Sequence, residues 1–189
     1  MVIITEKDKA SLIVPLPYWK FMEGARSPEN VYTRADNFIA WKIKNRKNTI
    51  LAGWGPARAN DVLRYKVGLF KGEIDFETLS SYTLPKIREI LDEEIGKPLD
   101  KDPWDNTYYV LSGNRAWEIC NDFITEVEGV EACGRYSDLA ISSFTKNKEL
   151  PLDERIRIFC KEAEMFTGIK MFPVAVMDTK TEKIRLIKK

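Results

Sequence analysis

Histidine is absent from the 189 residues of this chain. That single absence removes Ser-His-Asp triads, Cys-His dyads and histidine-ligated zinc together. Cysteine is scarce: three in all, an odd number, in a chain whose first residues do not resemble a secretion signal. A disulfide framework is therefore not expected, and a reducing, cytoplasmic location is. No apolar run approaches the ~20 residues that span a bilayer, so no membrane association is expected. Charge of one sign is also lacking. The 30 basic and 29 acidic residues leave a net charge of +1, which gives no electrostatic footprint for nucleic acid. What remains is one domain, large enough to bury roughly 70% of the surface its unfolded chain would expose.

The best-specified stretch is Leu150 to Met177. Leu152, Ile156, Phe159, Ala163 and Phe166 recur at helical spacing, with Cys160 on their flank and charges opposite. Pro151, Asp153 and Glu154 suit the start of this helix, and Gly168 suits a left-handed residue just past its end. Met171 to Met177 reads as an apolar strand, Asp178 to Glu182 as a turn, and Lys183 to Ile187 as the returning arm.

From the other end, Val2–Thr5 and Ala10–Trp19 make a hairpin whose prolines, Pro15 and Pro17, place its second strand at an edge or bend it. Phe21 to Glu29 reads as a loop. Asn30 to Asn45 is open between two readings. Ser27-Pro28 with Val31, Ala35 and Phe38 has the form of a helix start, whereas the alternation from Phe38 to Ile43 favours a strand from about Asn37. Thr49 to Gly53 is the return strand.

Gly53-Trp-Gly-Pro-Ala-Arg58 places two glycines between a strand and a helix, but Arg58 replaces the third glycine of a dinucleotide loop and no good second strand follows. Pro56 instead starts a helix carrying Ala59, Val62, Leu63, Val67 and Phe70, ending near Gly72. A second helix has Thr83 as its cap and Ile87, Ile90 and Leu91 as its stripe. Asp100, Asp102 and Asp105 lack the glycine and distal glutamate of a calcium loop and read as a solvated loop. Neither a metal nor a cofactor is expected. Thr107–Ser112, Arg115–Cys120 and Val127–Cys133 form strands, the first two joined through Gly113-Asn114. A helix with Tyr136, Leu139, Ala140 and Phe144 inward leads to Leu150. Four strands, two helices, three strands, two helices and a hairpin argue for an antiparallel α+β layered fold.

That order, with short motifs at its joints, resembles the proteasome family of N-terminal-nucleophile hydrolases, including proteasome β-subunits and HslV. Glu164-Met-Phe-Thr167-Gly168 is similar to the family's Asp-x-x-Ser/Thr-Gly. Asn48-Thr-Ile-Leu-Ala-Gly53 is similar to its apolar strand into a glycine turn, Ala132-Cys133-Gly134 to its Gly-Ser-Gly, and Tyr109-Val-Leu-Ser-Gly113 to its strand-to-glycine turn. The resemblance implies a four-layer αββα sandwich. It also implies a site in which a terminal Thr, Ser or Cys attacks a carbonyl while the α-amine takes its proton. Carried over by position, Lys42 is the supporting lysine, Glu164 the acid, Thr167 the hydroxyl, and Cys133 stands for a serine.

The family's strand begins Thr-Thr, whereas the corresponding start here is Met1-Val2-Ile3-Ile4, with no nucleophile. Cleavage before Thr5 or Ser11 would delete the strand that positions the residue. The resemblance thus implies a subunit that has lost its nucleophile and works through assembly or binding. The alternatives are an active peptidase or amidase, by processing or through Cys133, and an anion- or nucleotide-binding module built on the Gly53–Arg58 turn. A homo-oligomeric ring is implied, with a peptide or protein substrate or an ATPase as partner.

Overall fold

The computed structural model describes residues 1–15, 30–33, 38–43, 45–46, 48–55, 57–66, 68–96, 106–120, 123–134, 136–181 and 184–189. The aspartate-rich loop at 100–105, Pro17, Pro56, Val67 and the 21–29 loop lie outside the described residues.

Strands β1 (Val2–Glu6) and β2 (Lys9–Pro15) form the expected hairpin. β3 (Asn30–Thr33), β4 (Phe38–Lys42) and β5 (Thr49–Trp54) follow, then helix α1 (Ala57–Tyr65). A continuous helical run comprises α2 (Phe76–Thr78), a π-helical turn (Leu79–Thr83) and α3 (Leu84–Ile95). β6 (Thr107–Ser112), β7 (Arg115–Cys120), β8 (Phe123–Glu126) and β9 (Val130–Ala132) come next. Helices α4 (Ser137–Lys146) and α5 (Leu152–Thr167) precede the last strands, β10 (Val174–Asp178) and β11 (Arg185–Ile187). One sheet has the order β11-β10-β2-β1-β9 and the other β3-β4-β5-β6-β7-β8. Every strand pair is antiparallel.

The layering follows from side-chain alternation. Ile3, Leu12 and Val14 of the first sheet meet Ile50, Ala52, Tyr109 and Leu111 of the second in a core between the sheets. Their neighbours Val2, Ile4 and Ile13 turn the other way, onto Phe144, Ile156, Phe159 and Ala163 of α4 and α5. Leu51, Val110 and Trp117 likewise turn outward onto Ala59, Leu63, Ile87 and Leu91 of α1 and α3. Three apolar layers thus separate helix, sheet, sheet and helix. The α+β sandwich expected from the sequence is present, and fully buried side chains such as Ile3 and Leu12 each contribute about 1.5–3 kcal/mol to it.

Several local expectations are corrected. Val31 lies in a strand, not a helix, because Asn30–Thr33 pairs along β4 and β-branched and aromatic residues fit that ladder. β2 is not at an edge: it lies between β1 and β10, and Pro15 is tolerated as its last residue, opposite Val174. α1 stops at Tyr65, although Leu69 and Phe70 are still buried beyond it. Thr83 caps nothing. The helical run begins two turns earlier, where the Asp75 carboxylate accepts the Thr78 N–H at 2.7 Å, leaving Thr83 inside it. β8 is an additional strand, its Phe123 exposed at the sheet edge, and β9 is shorter than expected. Phe166 falls off its stripe and is 77% exposed, while Cys160 is fully buried. β10 begins at Val174, not Met171, and Gly168 ends α5 with a φ of 68° as its type requires.

Candidate functional site

The antiparallel pairing of β1 with β9 brings Val2 opposite Ala132. One step further, the Met1 ammonium donates to the Cys133 carbonyl at 3.1 Å, and the Cys133 N–H donates to the Met1 carbonyl at 3.1 Å. Since Val2 and Ala132 face the helices, Met1 and Cys133 face the space between the sheets, where both pack on the central core. Gly134 follows with a φ of 99°, against the Trp54 ring.

From the opposite sheet, Tyr109 and Glu118 meet this point. They are paired across β6 and β7, and the Tyr109 hydroxyl donates to Glu118 Oε1 at 2.7 Å. Cys133 packs against the same cluster of side chains that contains Tyr109. Burial pushes the Cys133 thiol up to about 11; Glu118 and Glu131 add to the rise, and the Met1 ammonium and the Tyr109 contact oppose it. Burial, followed by the charges of Cys133 and Glu118, raises the Tyr109 phenol above its ordinary value. The arrangement holds a protonated thiol, a protonated phenol and a carboxylate in series. A thiolate is the nucleophilic form of cysteine, so this setting suppresses attack by Cys133.

The other site residues taken from the sequence lie elsewhere. Lys42 pairs with Ile50 in β4 and reaches across the sandwich to donate to the Asp178 carbonyl at 2.8 Å. Asp178 is opposite Ser11, whereas Met1 stands beyond the Val2–Ile13 pair. The Asp178 carbonyl that Lys42 reaches is thus three residues of β10 from the level of Met1, about 10 Å at ~3.3 Å each. Glu164 accepts the Met171 N–H at 3.0 Å and Lys189 Nζ at 2.9 Å. Thr167 donates to the Ala163 carbonyl at 2.6 Å and accepts the Ile169 N–H at 3.1 Å. Both serve the exit of α5, Lys189 first and the Met171 N–H second holding the Glu164 carboxyl below its ordinary range. Lys42 and Cys133 are not brought together, and these hydrogen bonds of Glu164 and Thr167 stay within the C-terminal segment.

Tyr109 and Glu118 were not singled out from the sequence. Their signal was present, because a two-residue turn at Gly113-Asn114 fixes the hairpin register and sets Tyr109 opposite Glu118.

The Gly53–Arg58 turn has a packing explanation. Gly53 lies under Asn60 of α1, whose side-chain amide donates to the Gly53 carbonyl at 3.3 Å. Arg58 donates to the Glu94 carbonyl at 3.2 Å near the end of α3. Among the described residues no group of three or more His, Cys, Asp or Glu side chains could hold a metal ion, and no helix is long and apolar enough to cross a membrane.

This layered α+β architecture is similar to that of solved structures. Two solved structures carry the comparison: BPH from Thiobacillus denitrificans in complex with epoxomicin, with a TM-score of 0.61 at 10% identity, covering 94% of this chain and 96% of that one; and BPH from the same organism, with a TM-score of 0.59 at 13% identity, covering 94% and 95%. Eukaryotic HslV from Trypanosoma brucei aligns over 94% of this chain and 97% of its own, with a TM-score of 0.47 at 12% identity. At these identities the likeness is one of fold. Comparisons with protein-family models and with curated protein sequences found no match.

Proposed function

We propose that this chain is a proteasome- or HslV-like subunit whose first strand carries no working nucleophile and which acts through self-assembly or binding. One observation carries the reading: where β1 meets β9, Val2 is turned into the helix-side core at 1% exposure, and the nearby thiol, Cys133, is held protonated up to about 11. Exposed Met165 and Phe166, 83% and 77% accessible on the last turn of α5, supply apolar surface for a protein contact.

The test is hydrolysis of fluorogenic peptides by the purified protein. No turnover above buffer is expected, and turnover abolished by Cys133→Ala would overturn the reading. Light scattering at micromolar concentration tests assembly, with a monomer as the adverse result. The second reading is an active amidase or peptidase using Cys133. It draws support from the Met1 ammonium and Tyr109 hydroxyl beside that thiol, and it requires an electrophilic probe to label Cys133 at neutral pH. The anion-binding reading of the Gly53–Arg58 turn requires thermal stabilisation by millimolar phosphate or nucleotide.

A further inference from the structure

The sheet that begins at β3 ends at β8, and among the described residues no strand pairs with the outer side of β8. The register fixes which way its backbone points. β7 and β8 are antiparallel, with Trp117 opposite Glu126 and Glu118 opposite Thr125, and the next residue, Val127, gives its N–H to the Ala116 carbonyl at 2.8 Å. Backbone groups alternate in direction along such a pair, so Phe123, Thr125 and Val127 turn their N–H and C=O groups toward β7. Ile124 and Glu126 turn theirs outward, leaving a donor and an acceptor of each on the open edge. Side chains alternate between the faces as well. Ile124 packs with the helix-side core, while Phe123, on the face that carries Cys120 and Glu118, is 74% exposed.

Proteins commonly blunt such edges with lysine or proline. β11, an edge of the other sheet, has Arg185 on it and Lys188 and Lys189 just after it, whereas β8, Phe123-Ile-Thr-Glu126, has neither lysine nor proline. The charge along this part of the chain has one sign. From residue 116 to 134 the sequence contains Glu118, Asp122, Glu126, Glu128 and Glu131 and no Lys or Arg. Arg115 neutralises Glu126 through bonds of 2.6 and 2.7 Å, and Glu128 stands exposed beyond it. We propose that the outer side of β8 takes an extended, basic peptide segment of a partner protein as an added strand. Its main chain bonds to Ile124 and Glu126, an apolar side chain lies on Phe123, and Lys or Arg at alternate positions shares the face of Glu126. A second copy's β8 is the poorer occupant, because it sets acidic edge against acidic edge. The proposal rests on the binding half of the reading above, and its failure leaves the hydrolysis and light-scattering tests of that reading untouched.

The experiment titrates the full chain with the synthetic peptide Lys-Val-Lys-Val-Lys-Val-Lys and follows backbone amide exchange by NMR. In the free chain the Ile124 and Glu126 amides should exchange faster than those of Phe123 and Thr125, which bond within the sheet. At saturation Ile124 and Glu126 should gain at least about tenfold protection while Phe123 and Thr125 change little. The same peptide methylated on its lysine main-chain nitrogens keeps the charge but loses the donors, and should bind at least about tenfold more weakly. Its acidic counterpart, with Glu for Lys, should not bind. Glu128→Lys should weaken the lysine peptide about threefold or more with Tm unchanged. Binding without protection at Ile124 and Glu126 overturns the proposal, as do equal affinity for the methylated peptide, a Glu128→Lys chain that binds like wild type, or no binding at millimolar peptide. Protection of the two amides that is present without peptide and grows with protein concentration also overturns it, and assigns the edge to a second copy.

Discussion

Gly53→Ala should destabilise this protein although the strand conformation at Gly53 needs no glycine. A Cβ added there would overlap Asn60 Oδ1 and stand 2.9 Å from its Cγ and 3.1 Å from Tyr108 Cδ1. Asn60 is fully buried on α1 and gives its amide hydrogen to the Gly53 carbonyl, so it cannot swing aside into solvent. Either α1 lifts from the sheet, opening the layer that holds Ala59 and Leu63, or Asn60 turns and loses its bond. Overpacking a core costs about 1–3 kcal/mol, and stranding a buried amide costs about 1–3 kcal/mol as well. Whichever route is taken, a loss of about 1–3 kcal/mol follows, and a domain of this size loses ~2–4 °C of Tm per kcal/mol, so calorimetry should show a fall of about 2–12 °C. The decisive comparison is with the double variant that adds Asn60→Ala. Removing the clashing side chain should make the pair less destabilised than the sum of the two single changes, by about 0.5–3 kcal/mol of coupling. A Gly53→Ala Tm within about 2 °C of wild type, or strictly additive losses, would refute the packing argument.

Three further outcomes follow from individual contacts. Arg155 is 5% exposed and meets Glu6 at 3.3 Å, so Glu6→Gln, which leaves the guanidinium uncompensated, should cost about 2–3 kcal/mol in urea unfolding, while Arg155→Met should be close to neutral. Cys133 and Cys160 are raised to about 11 and about 12, so the unfolded chain loses its thiol protons first; stability should be full below the ordinary thiol pKa and fall as pH climbs through about 11, a decline that Cys133→Ser should make shallower in urea midpoints at pH 8 and 10.5. The Glu164 carboxyl is depressed, so its contribution is present above the ordinary carboxylate range and lost as pH falls through its folded value; the difference in Tm between wild type and Glu164→Gln should shrink in acid, and a constant difference would contradict this.

The layered fold was legible because its strands and helices carry strong periodicity. Ile3 and Leu12 facing one core while Ile4 and Ile13 face another is alternation readable in the chain itself. What escaped was set by tertiary context. Nothing local in Asn30–Thr33 distinguishes a strand from a helix start until β4 offers it a ladder. Phe166 has the spacing of a core residue, yet in the last turn of α5 it and Met165 are exposed while Glu164 and Thr167 are half-buried. The candidate site was half visible. Cys133 was found from its motif, whereas its partners Tyr109 and Glu118 are separated from it by many residues and converge only when the two sheets face each other. Lys42, also read from the sequence, stands opposite Ile50 on β4, and its contact with the Asp178 carbonyl of the other sheet is one that only the facing of the two sheets creates.

The residues that hold the fold and those that could do chemistry are largely separate sets. Met1 and Cys133 are only partly buried at the rim of the central core, while Ile3, Leu12, Ile50 and Leu111 are fully buried within it. Truncating Ile3 to alanine should cost about 2–5 kcal/mol by transfer and cavity formation. Truncating Cys133 removes only a half-buried side chain at the rim of that core. A nucleophile can therefore be lost from the start of β1 without loss of the sandwich. The groups around it cannot vary so freely: Tyr109 is 2% exposed, and its hydroxyl needs Glu118 once buried. The Tyr109–Glu118 pair thus has a structural role independent of any catalysis. Burial is what favours the protonated Cys133 thiol, while the Met1 ammonium and the Tyr109 hydroxyl work against it, so the same close packing that stabilises this end of the sandwich also keeps the thiol protonated.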